Sequence, residues 1–336
     1  MRTNRLVSIV LPVYNGERYL EEAIQSCITQ DYTRWELIVI DDFSTDRTPE
    51  IVRKYVSQDR RIHSIRHDRN RKLPAALNTG FKNASGDYYT WISDDNYYDP
   101  SAIGKMVEFL QQQPEVDIVY CDYTMVDQNG NSIEKMVVED AEMLLYRSCI
   151  GACFMYKSQV HHQLNGFDED LFLVEDYDFW LRAFKSFKFR ALHKNLYYYR
   201  RHPQSLTDQY CQSKELFFLL IRKVMARYEA ENYPLDIVHI KERPVFIWGT
   251  GNGGRYTYQS LSKAGLIVNG FLDSDSTRWG QFYLGLKIYA PIELKNYSNK
   301  HPFIFIGSSF IKEIEQKLIE LGFTRGNDFC VNIFNE

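Results

Sequence analysis

The chain has 336 residues, 44% of them hydrophobic, enough to bury a full core and to divide into two domains. With 40 basic and 44 acidic side chains its net charge is −4, which gives no reason to expect a nucleic-acid partner. The apolar run after Arg5 is broken at Pro12 and Gly16, too soon for a signal peptide. No later run reaches the ~18 apolar residues of a membrane span.

A cytoplasmic protein is expected, with peripheral contact at the inner face of the cell membrane left open. Six cysteines form no C-x-x-C pair and no zinc-like spacing with histidine, so free thiols among apolar neighbours are expected. Arg60, Arg61, Arg66, Arg69, Arg71 and Lys72 make one basic stretch. A solvated loop accounts for most of it, with one or two of its cations facing a phosphate or an anionic membrane as the sharper reading.

In chain order, Val7 to Leu11 reads as a buried strand, Glu17 to Thr29 as a helix with apolar residues at helical spacing, and Leu37 to Ile40 as a second strand ending at Asp41-Asp42. Ser44-Thr45-Asp46 caps the next helix, Ile62 to Ile65 is a short strand, Pro74 to Ala84 a helix, and Tyr88 to Ser93 a strand ending at Asp94-Asp95. This βαβ succession predicts an α/β fold with a mostly parallel sheet and helices on both faces. Hairpin-like strands follow from about Val119, turning at Asp127 to Gly130. A helix carries Glu175 to Phe184, and another runs from Lys214 to Tyr228 before the polar stretch Glu229 to Glu242.

A new βαβ unit then begins. Gly249, Gly251 and Gly254 spell G-x-G-x-x-G between a strand (Val245 to Trp248) and a helix, with Asp273 at the end of the next strand. The segment is short for a complete two-half dinucleotide fold, so a docking or self-association role stands level with ligand binding. The expected organisation is a first domain over 1–212, a helical linker over 213–241, and a small Rossmann-like domain over 242–336 that binds a nucleotide or docks.

Carboxylate pairs at the ends of parallel strands repel unless a cation or a solvated crevice offsets them, and ligands bind at that edge of open α/β sheets. Pro12 to Asn15, Asp41-Asp42 with Ser44 and Asp46, and Ser93-Asp94-Asp95 all fall there. A hard divalent cation, Mg²⁺ or Mn²⁺, is the expectation for the last group. Asp176, taken alone, is as well explained as a helix cap. Asp178 and Arg182 are spaced to pair on a helix surface, and Trp91 and Trp180 read as packing residues.

Taken together, Val7 to Gly16, Ile40 to Asp46, Gly86 to Asp95 and Glu175-Asp176 resemble, in order, the family 2 glycosyltransferases, which have the GT-A nucleotide-diphospho-sugar transferase fold. The resemblance covers roughly two-thirds of the chain. It implies that Pro12, Tyr14 and Asp42 bind the nucleotide, with a uracil-containing donor as the leading choice. Asp95 would ligate the metal and Asp94 would face the ribose or donor sugar, Ser93 standing where the first acid of the D-x-D region often is. Lys72 would lie near the diphosphate, and Asp176 would be the catalytic base. Arg201 and His202, in a segment resembling one found after the base in many of these enzymes, would reach the diphosphate and the metal respectively.

The activity implied is inverting, metal-dependent transfer from a nucleotide-sugar donor to a hydroxyl of a saccharide or lipid-linked saccharide, in surface polysaccharide or glycolipid synthesis. Self-association is left open. The alternative is a nucleotide-sugar oxidoreductase or epimerase that uses the C-terminal glycine loop. No Tyr-x-x-x-Lys pair follows that loop at a suitable place.

Overall fold

The computed structural model describes residues 5–211, 214–297 and 301–331. The chain forms two compact units, Met1–Leu220 and Ile221–Glu336.

The first unit opens with β1 (Val7–Val13), α1 (Leu20–Ile28), β2 (Trp35–Asp41), α2 (Thr48–Gln58), β3 (Ile62–Arg66), α3 (Leu73–Lys82) and β4 (Tyr88–Trp91). It continues with β5 (Tyr97–Tyr98), α4 (Ala102–Gln112), β6 (Ile118–Val126), β7 (Ser132–Met136), β8 (Phe154–Lys157), α5 (Ser158–Leu164), α6 (Glu175–Phe184), β9 (Phe189–Arg200) and α7 (Leu206–Cys211).

One sheet runs in the order β3-β2-β1-β4-β8-β6-β9-β5, with β7 beside β6. Its first four strands are parallel, β8 is antiparallel to both neighbours, and β6 and β9 are parallel. Every residue of β1 is buried, as a strand covered by helices on both sheet faces must be. The mixed α/β architecture, parallel in its first four strands, thus follows from the periodicities in the sequence, and the hairpin at Asp127 to Gly130 joins β6 to β7 as expected.

Register places the site. Val13 pairs with Asp41 and Val10 with Trp91, so the chain leaves β1, β2 and β4 along a single edge. That edge receives Tyr14, Asp42 and Asp94-Asp95. Tyr97 and Tyr98 then pair with Tyr198 and Tyr197 in β9, so the segment after Asp95 runs beside the segment before His202. Local strand pairing therefore joins two motifs about a hundred residues apart. Of the two tryptophans read as packing, Trp180 is fully buried and packs edge-on to Phe154 at 4.8 Å, whereas Trp91 is partly exposed.

The second unit has α9 (Ile237–Lys241), β10 (Val245–Trp248), α10 (Asn252–Lys263), β11 (Val268–Leu272), β12 (Phe282–Tyr283), β13 (Leu286–Tyr289), β14 (Phe303–Ile306), α11 (Ile311–Glu320) and β15 (Phe329–Val331), preceded by the long α8 (Lys214–Asn232). Its sheet order is β12-β13-β11-β10-β14-β15, parallel except for β12.

The polar stretch expected to be a linker is instead part of the second unit. Ile240 is buried in that unit's core, and Glu229 is buried against Arg325. Arg325 also holds Glu315 at 3.0 Å. The stretch is tied down at two points, Glu229 in this ion triad and Ile240 in the core, while its other charges face solvent and give it a linker's composition. Arg325 Nε and Glu229 Oε2 are left without a partner. Burial raises the Glu229 carboxyl while Arg325 draws it down.

Removing the shared cation strands two buried acids. Arg325→Met is therefore expected to lower the stability of the second unit by about 3–5 kcal/mol in urea unfolding. A loss under about 1 kcal/mol would mean that the triad is solvated.

Candidate functional site

The loops after β1 and β2 are laced by hydrogen bonds. The Asn15 N–H donates to Ser44 Oγ at 2.9 Å, Gly16 N–H to Thr48 Oγ1 at 3.0 Å, Glu17 N–H to Asp46 Oδ2 at 3.1 Å, and Thr45 N–H to Asn15 Oδ1 at 2.8 Å. The short polar residues between strand and helix thus satisfy each other's backbone groups and fix one edge of the crevice. Pro12 is buried at this edge and Tyr14 is half exposed above it.

Asp42 sits at the floor. His67 Nδ1 lies 2.7 Å from its Oδ1, the Arg71 N–H donates to Oδ1 at 2.8 Å, and the Lys72 N–H donates to Oδ2 at 2.9 Å. His67 Nε2 meets Thr79 Oγ1 at 2.9 Å. The imidazole thus bridges the Asp42 carboxylate and the Thr79 hydroxyl. A carboxylate has about four acceptor positions, so Asp42 keeps one, on Oδ2. Asp41 is held by Arg66 at 2.5 Å and by the Ser44 N–H at 2.8 Å.

Three of the six residues of the basic stretch are tied into internal pairs. Arg61 binds Asp59 and lies over the Trp35 ring at 3.6 Å, Arg66 binds Asp41, and Arg71 meets Glu169 at 3.5 Å. The Lys72 side chain is exposed, its ammonium 5.8 Å from the Phe172 ring.

At the end of β4, His202 Nε2 is 2.9 Å from Asp95 Oδ2, and this hydrogen bond raises the imidazole above its ordinary value against the effect of burial. The sequence points to this pair from two distant motifs, and here they are in contact. Asp94 accepts from no other residue among the described ones. Its Oδ2 packs so closely on Gly16 that a Cβ there would lie 2.0 Å away. Burial, then the charge of Asp95, push the Asp94 carboxyl well above the usual carboxylate range, with Asp46 adding to the effect.

Arg200, which sequence reasoning misses in favour of its neighbours, organises this end. It is 2% exposed, and its Nε donates to the Asp95 carbonyl at 2.9 Å. Its Nη2 pairs with Glu22 at 2.5 Å, its N–H donates to Asn96 at 2.7 Å, and its guanidinium lies 4.5 Å over the Tyr19 ring. The only sequence signal is its place at the end of an aromatic strand. Arg201 is engaged in a two-nitrogen pair with Asp208.

As a test of fit, Asp95 and His202 present an oxygen and a nitrogen within hydrogen-bond distance, a donor set that favours Mn²⁺ over the oxygen-preferring Mg²⁺. Among the described residues, no cluster of three or more metal-type side chains forms. A cation held here would take its remaining ligands from water or phosphate. Its charge would also relieve the Asp94–Asp95 repulsion.

Asp176 lies on the first turn of α6. That helix is seated through Trp180 on Phe154, which in turn meets Trp91 just ahead of the Asp94-Asp95 pair at 6.0 Å. The chain that leads into α6 is tied to α3, where Asn78 Nδ2 donates to the Phe167 carbonyl at 2.9 Å. Asp176 stands inside the first turn, two places after the N-cap Val174; its one hydrogen bond from another residue is the first-turn Tyr177 N–H at 2.7 Å, as a capping acid's would be, and it is partly exposed. Burial raises its carboxyl above the ordinary value. Glu175 is buried, accepts from the Leu173 N–H at 2.6 Å, and is pushed up to about 8 by burial and then by Asp176. Asp178 is committed to Arg182 at 2.7 Å, the helix-surface spacing expected.

Four left-handed residues other than glycine flank this crevice: Asn15 (φ 55°), Phe43 (φ 70°), Lys72 (φ 72°) and Leu173 (φ 85°). Such conformations cluster where a site over-determines the backbone.

The comparisons decide the family. Residues 8–166 match the model of glycosyl transferase family 2. The N-terminal unit belongs to that family. An uncharacterized glycosyltransferase of Rickettsia prowazekii is 33% identical over 214 residues, 60% of this chain and 66% of the relative. The uncharacterized glycosyltransferase EpsJ of Bacillus subtilis is 31% identical over 219 residues, 60% of this chain and 63% of the relative. The chain thus spans about two-thirds of the length of these relatives. Among solved structures, the S. aureus TarS 1–349 complex with UDP-GlcNAc aligns at a TM-score of 0.58 and 22% identity, covering 70% of this chain and 69% of that one. The match confirms the GT-A-like fold of the glycosyltransferase unit.

Residues 241–326 match a separate family, C2185-like, N-terminal. There the glycine loop is largely consumed by packing. A Cβ on Gly254 would lie 1.9 Å from the Gly249 carbonyl, and one on Gly253 would lie 2.5 Å from that of Gly307; only Gly251 faces open space. Asp273 accepts from Thr250 Oγ1 and from the Asp275 N–H at 2.9 Å, with Arg278 at 3.6 Å.

The shifted Glu175 has a consequence for stability. Its folded value near 8 exceeds the ordinary 4.5, so the folded state keeps a proton that the unfolded chain releases. Stability of the glycosyltransferase unit should fall as pH rises from about 4.5 to about 8. Glu175→Gln, uncharged throughout, should flatten that slope in thermal midpoints measured across the window. An unchanged slope would assign it to other groups.

Proposed function

We propose that the N-terminal unit transfers a sugar from a nucleoside-diphosphate donor, UDP-linked as the leading choice, to an acceptor hydroxyl with inversion at the anomeric carbon. The observation that carries the reading is Asp176: a partly exposed carboxylate, raised above its ordinary value, with one backbone N–H as its partner and no cation committed to it. A general base needs that freedom and that basicity. Its neighbours lack one or the other, Glu175 being buried and Asp178 paired with Arg182.

In the proposed step the acceptor oxygen attacks the anomeric carbon, the bond from that carbon to the diphosphate oxygen breaks, and the hydroxyl proton passes to Asp176. The nucleoside diphosphate departs with the bonding electron pair. Asp95 and His202 would hold a divalent cation, which supplies positive charge to the leaving diphosphate. Tyr14 and Asp42 would hold the base with Pro12 beneath, Asp94 would face the ribose or sugar, and Lys72 would lie toward the diphosphate.

Support for the donor class comes from the family and from the bound molecules of the structural neighbours: TarS with UDP and with UDP-GlcNAc, and a Pyrobaculum calidifontis mannosyltransferase with GDP-Man and Mn²⁺ (TM-score 0.50, 18% identity, covering 68% of this chain and 64% of that one). Arg201, already paired with Asp208, would need to exchange partners to reach a phosphate. A saccharide or lipid-linked saccharide acceptor, in surface polysaccharide or glycolipid assembly, rests on the family resemblance. No helix among the described residues is long and apolar enough to cross a membrane.

A screen of nucleotide sugars for released nucleotide, with and without Mn²⁺, tests the whole reading; no release from any donor would refute it. Within it, Asp176→Asn should leave UDP affinity intact and lower turnover by roughly 10²- to 10⁴-fold. Turnover within a few-fold of the unaltered protein would place the base elsewhere. Asp95→Ala should abolish the Mn²⁺-dependent part of UDP binding in calorimetric titration while leaving the far-UV circular dichroism unchanged. Full Mn²⁺ dependence in that variant would rule Asp95 out as a ligand.

A further inference from the structure

Three of the four left-handed residues around the crevice have a local cause. Asn15 closes the β1 loop through its side-chain oxygen, which accepts from Thr45 N–H, and asparagine tolerates this region of backbone space. Lys72 and Arg71 deliver two successive N–H groups to Asp42. Leu173 donates its N–H to Glu175.

Phe43 has no such cause. The turn that contains it is closed by its neighbours, Asp42 N–H to the Val13 carbonyl at 2.9 Å and Ser44 N–H to Asp41 Oδ1 at 2.8 Å. Glycine at position 43 would make the same turn without strain. The large ring is not stored in the core either: it is 42% exposed. An aromatic side chain on a left-handed backbone, with much of its ring in water, is unfavourable for folding on both counts.

The surroundings point to what offsets it. Phe43 directly follows Asp42, whose Oδ2 keeps one open acceptor position, and the Asp42 N–H donates to the carbonyl of Val13, the last residue of β1, after which comes half-exposed Tyr14. The Arg66 guanidinium lies 5.8 Å from the centre of the Phe43 ring and is itself fixed by Asp41 and the Ser44 carbonyl. The ring therefore has a rigid support on one side and solvent on the other. Resting on the donor reading above, we propose that Phe43 is a base-stacking residue of this chain, providing, beside Tyr14, a second aromatic wall against which the donor's nucleobase packs.

Stacking acts on the base and not on the phosphates, which sets the test. UDP and inorganic pyrophosphate are titrated, each with Mn²⁺, into the full chain and into Phe43→Gly, Phe43→Asn and Phe43→Tyr. The glycine and asparagine variants are expected to bind UDP about 5- to 100-fold more weakly, the range of one base–aromatic stack, with pyrophosphate affinity unchanged. Phe43→Tyr should bind UDP within about 2-fold of the unaltered chain, by the same stacking argument. The thermal midpoint of ligand-free Phe43→Asn should not fall, because asparagine accepts the left-handed backbone. UDP binding by Phe43→Gly within about 2-fold of the unaltered chain, too small a change for a lost stack, overturns the inference and leaves the donor reading standing. An equal loss of pyrophosphate binding overturns it as well, since the residue would then shape the loop and not the base pocket. If the unaltered chain binds neither UDP nor GDP, CDP or ADP, the donor reading fails and the inference with it.

Discussion

Five carboxylates, those of Asp41, Asp42, Asp46, Asp94 and Asp95, gather at one edge of one sheet, and their mutual repulsion is the constraint that the first unit is built around. Each is held by a different device. Arg66 neutralises Asp41, His67 with two backbone N–H groups cages Asp42, and Thr48 and Glu17 N–H groups bind Asp46. Asp95 has His202, with Arg200 anchoring its backbone. Asp94 alone takes no hydrogen bond from another described residue, and it is the one whose carboxyl is driven far from its ordinary value. The asymmetry is informative. An acid that the fold compensates is fixed in place, whereas an acid left uncompensated stores repulsion that an incoming cation or hydroxyl group can discharge.

The same logic separates the three acids at the start of α6. Asp178 is neutralised by Arg182 and serves the helix, and Glu175 is buried deeply enough to stay protonated near neutrality. Asp176 lies between these extremes, raised but partly exposed, the condition under which a carboxylate accepts a proton and gives it up again. One helical turn thus carries three carboxyl groups in three environments, one buried, one partly exposed and one paired with a cation.

Much of this is legible in the sequence. An apolar β-branched run such as Leu37 to Ile40 needs cover on both faces, which a parallel sheet between helices provides. The acids that end it need a cation or solvent, which the ligand edge of that sheet provides. The order of the motifs supplies the family. What the sequence conceals is pairing. Arg200 stands next to Arg201 and His202, yet its importance comes from lying beside Asp95, Asn96, Glu22 and Tyr19, which only the β5–β9 ladder brings together. Arg201, equally basic and more exposed, spends its charge on Asp208. The polar run from Glu229 to Glu242 misleads for a related reason: composition cannot distinguish charges facing water from one facing a buried partner, as Glu229 faces Arg325.

The glycine loop of the second unit marks the limit of motif reading from the other side. Its spacing matches a phosphate-binding fingerprint, and the strand and helix stand where the fingerprint requires them. Yet Gly254 is needed because a Cβ there would meet the Gly249 carbonyl, and Gly249 because its φ is 121° and a Cβ there would lie 2.7 Å from the Gly307 carbonyl. Close strand–helix packing alone therefore requires two of the loop's glycines, whatever binds there. Only Gly251, open on its outer side, is not required by the fold itself. A motif whose members are mostly claimed by packing carries less functional weight than its regular spacing implies. The acids of the first unit carry more, because packing opposes their presence and something else must account for it.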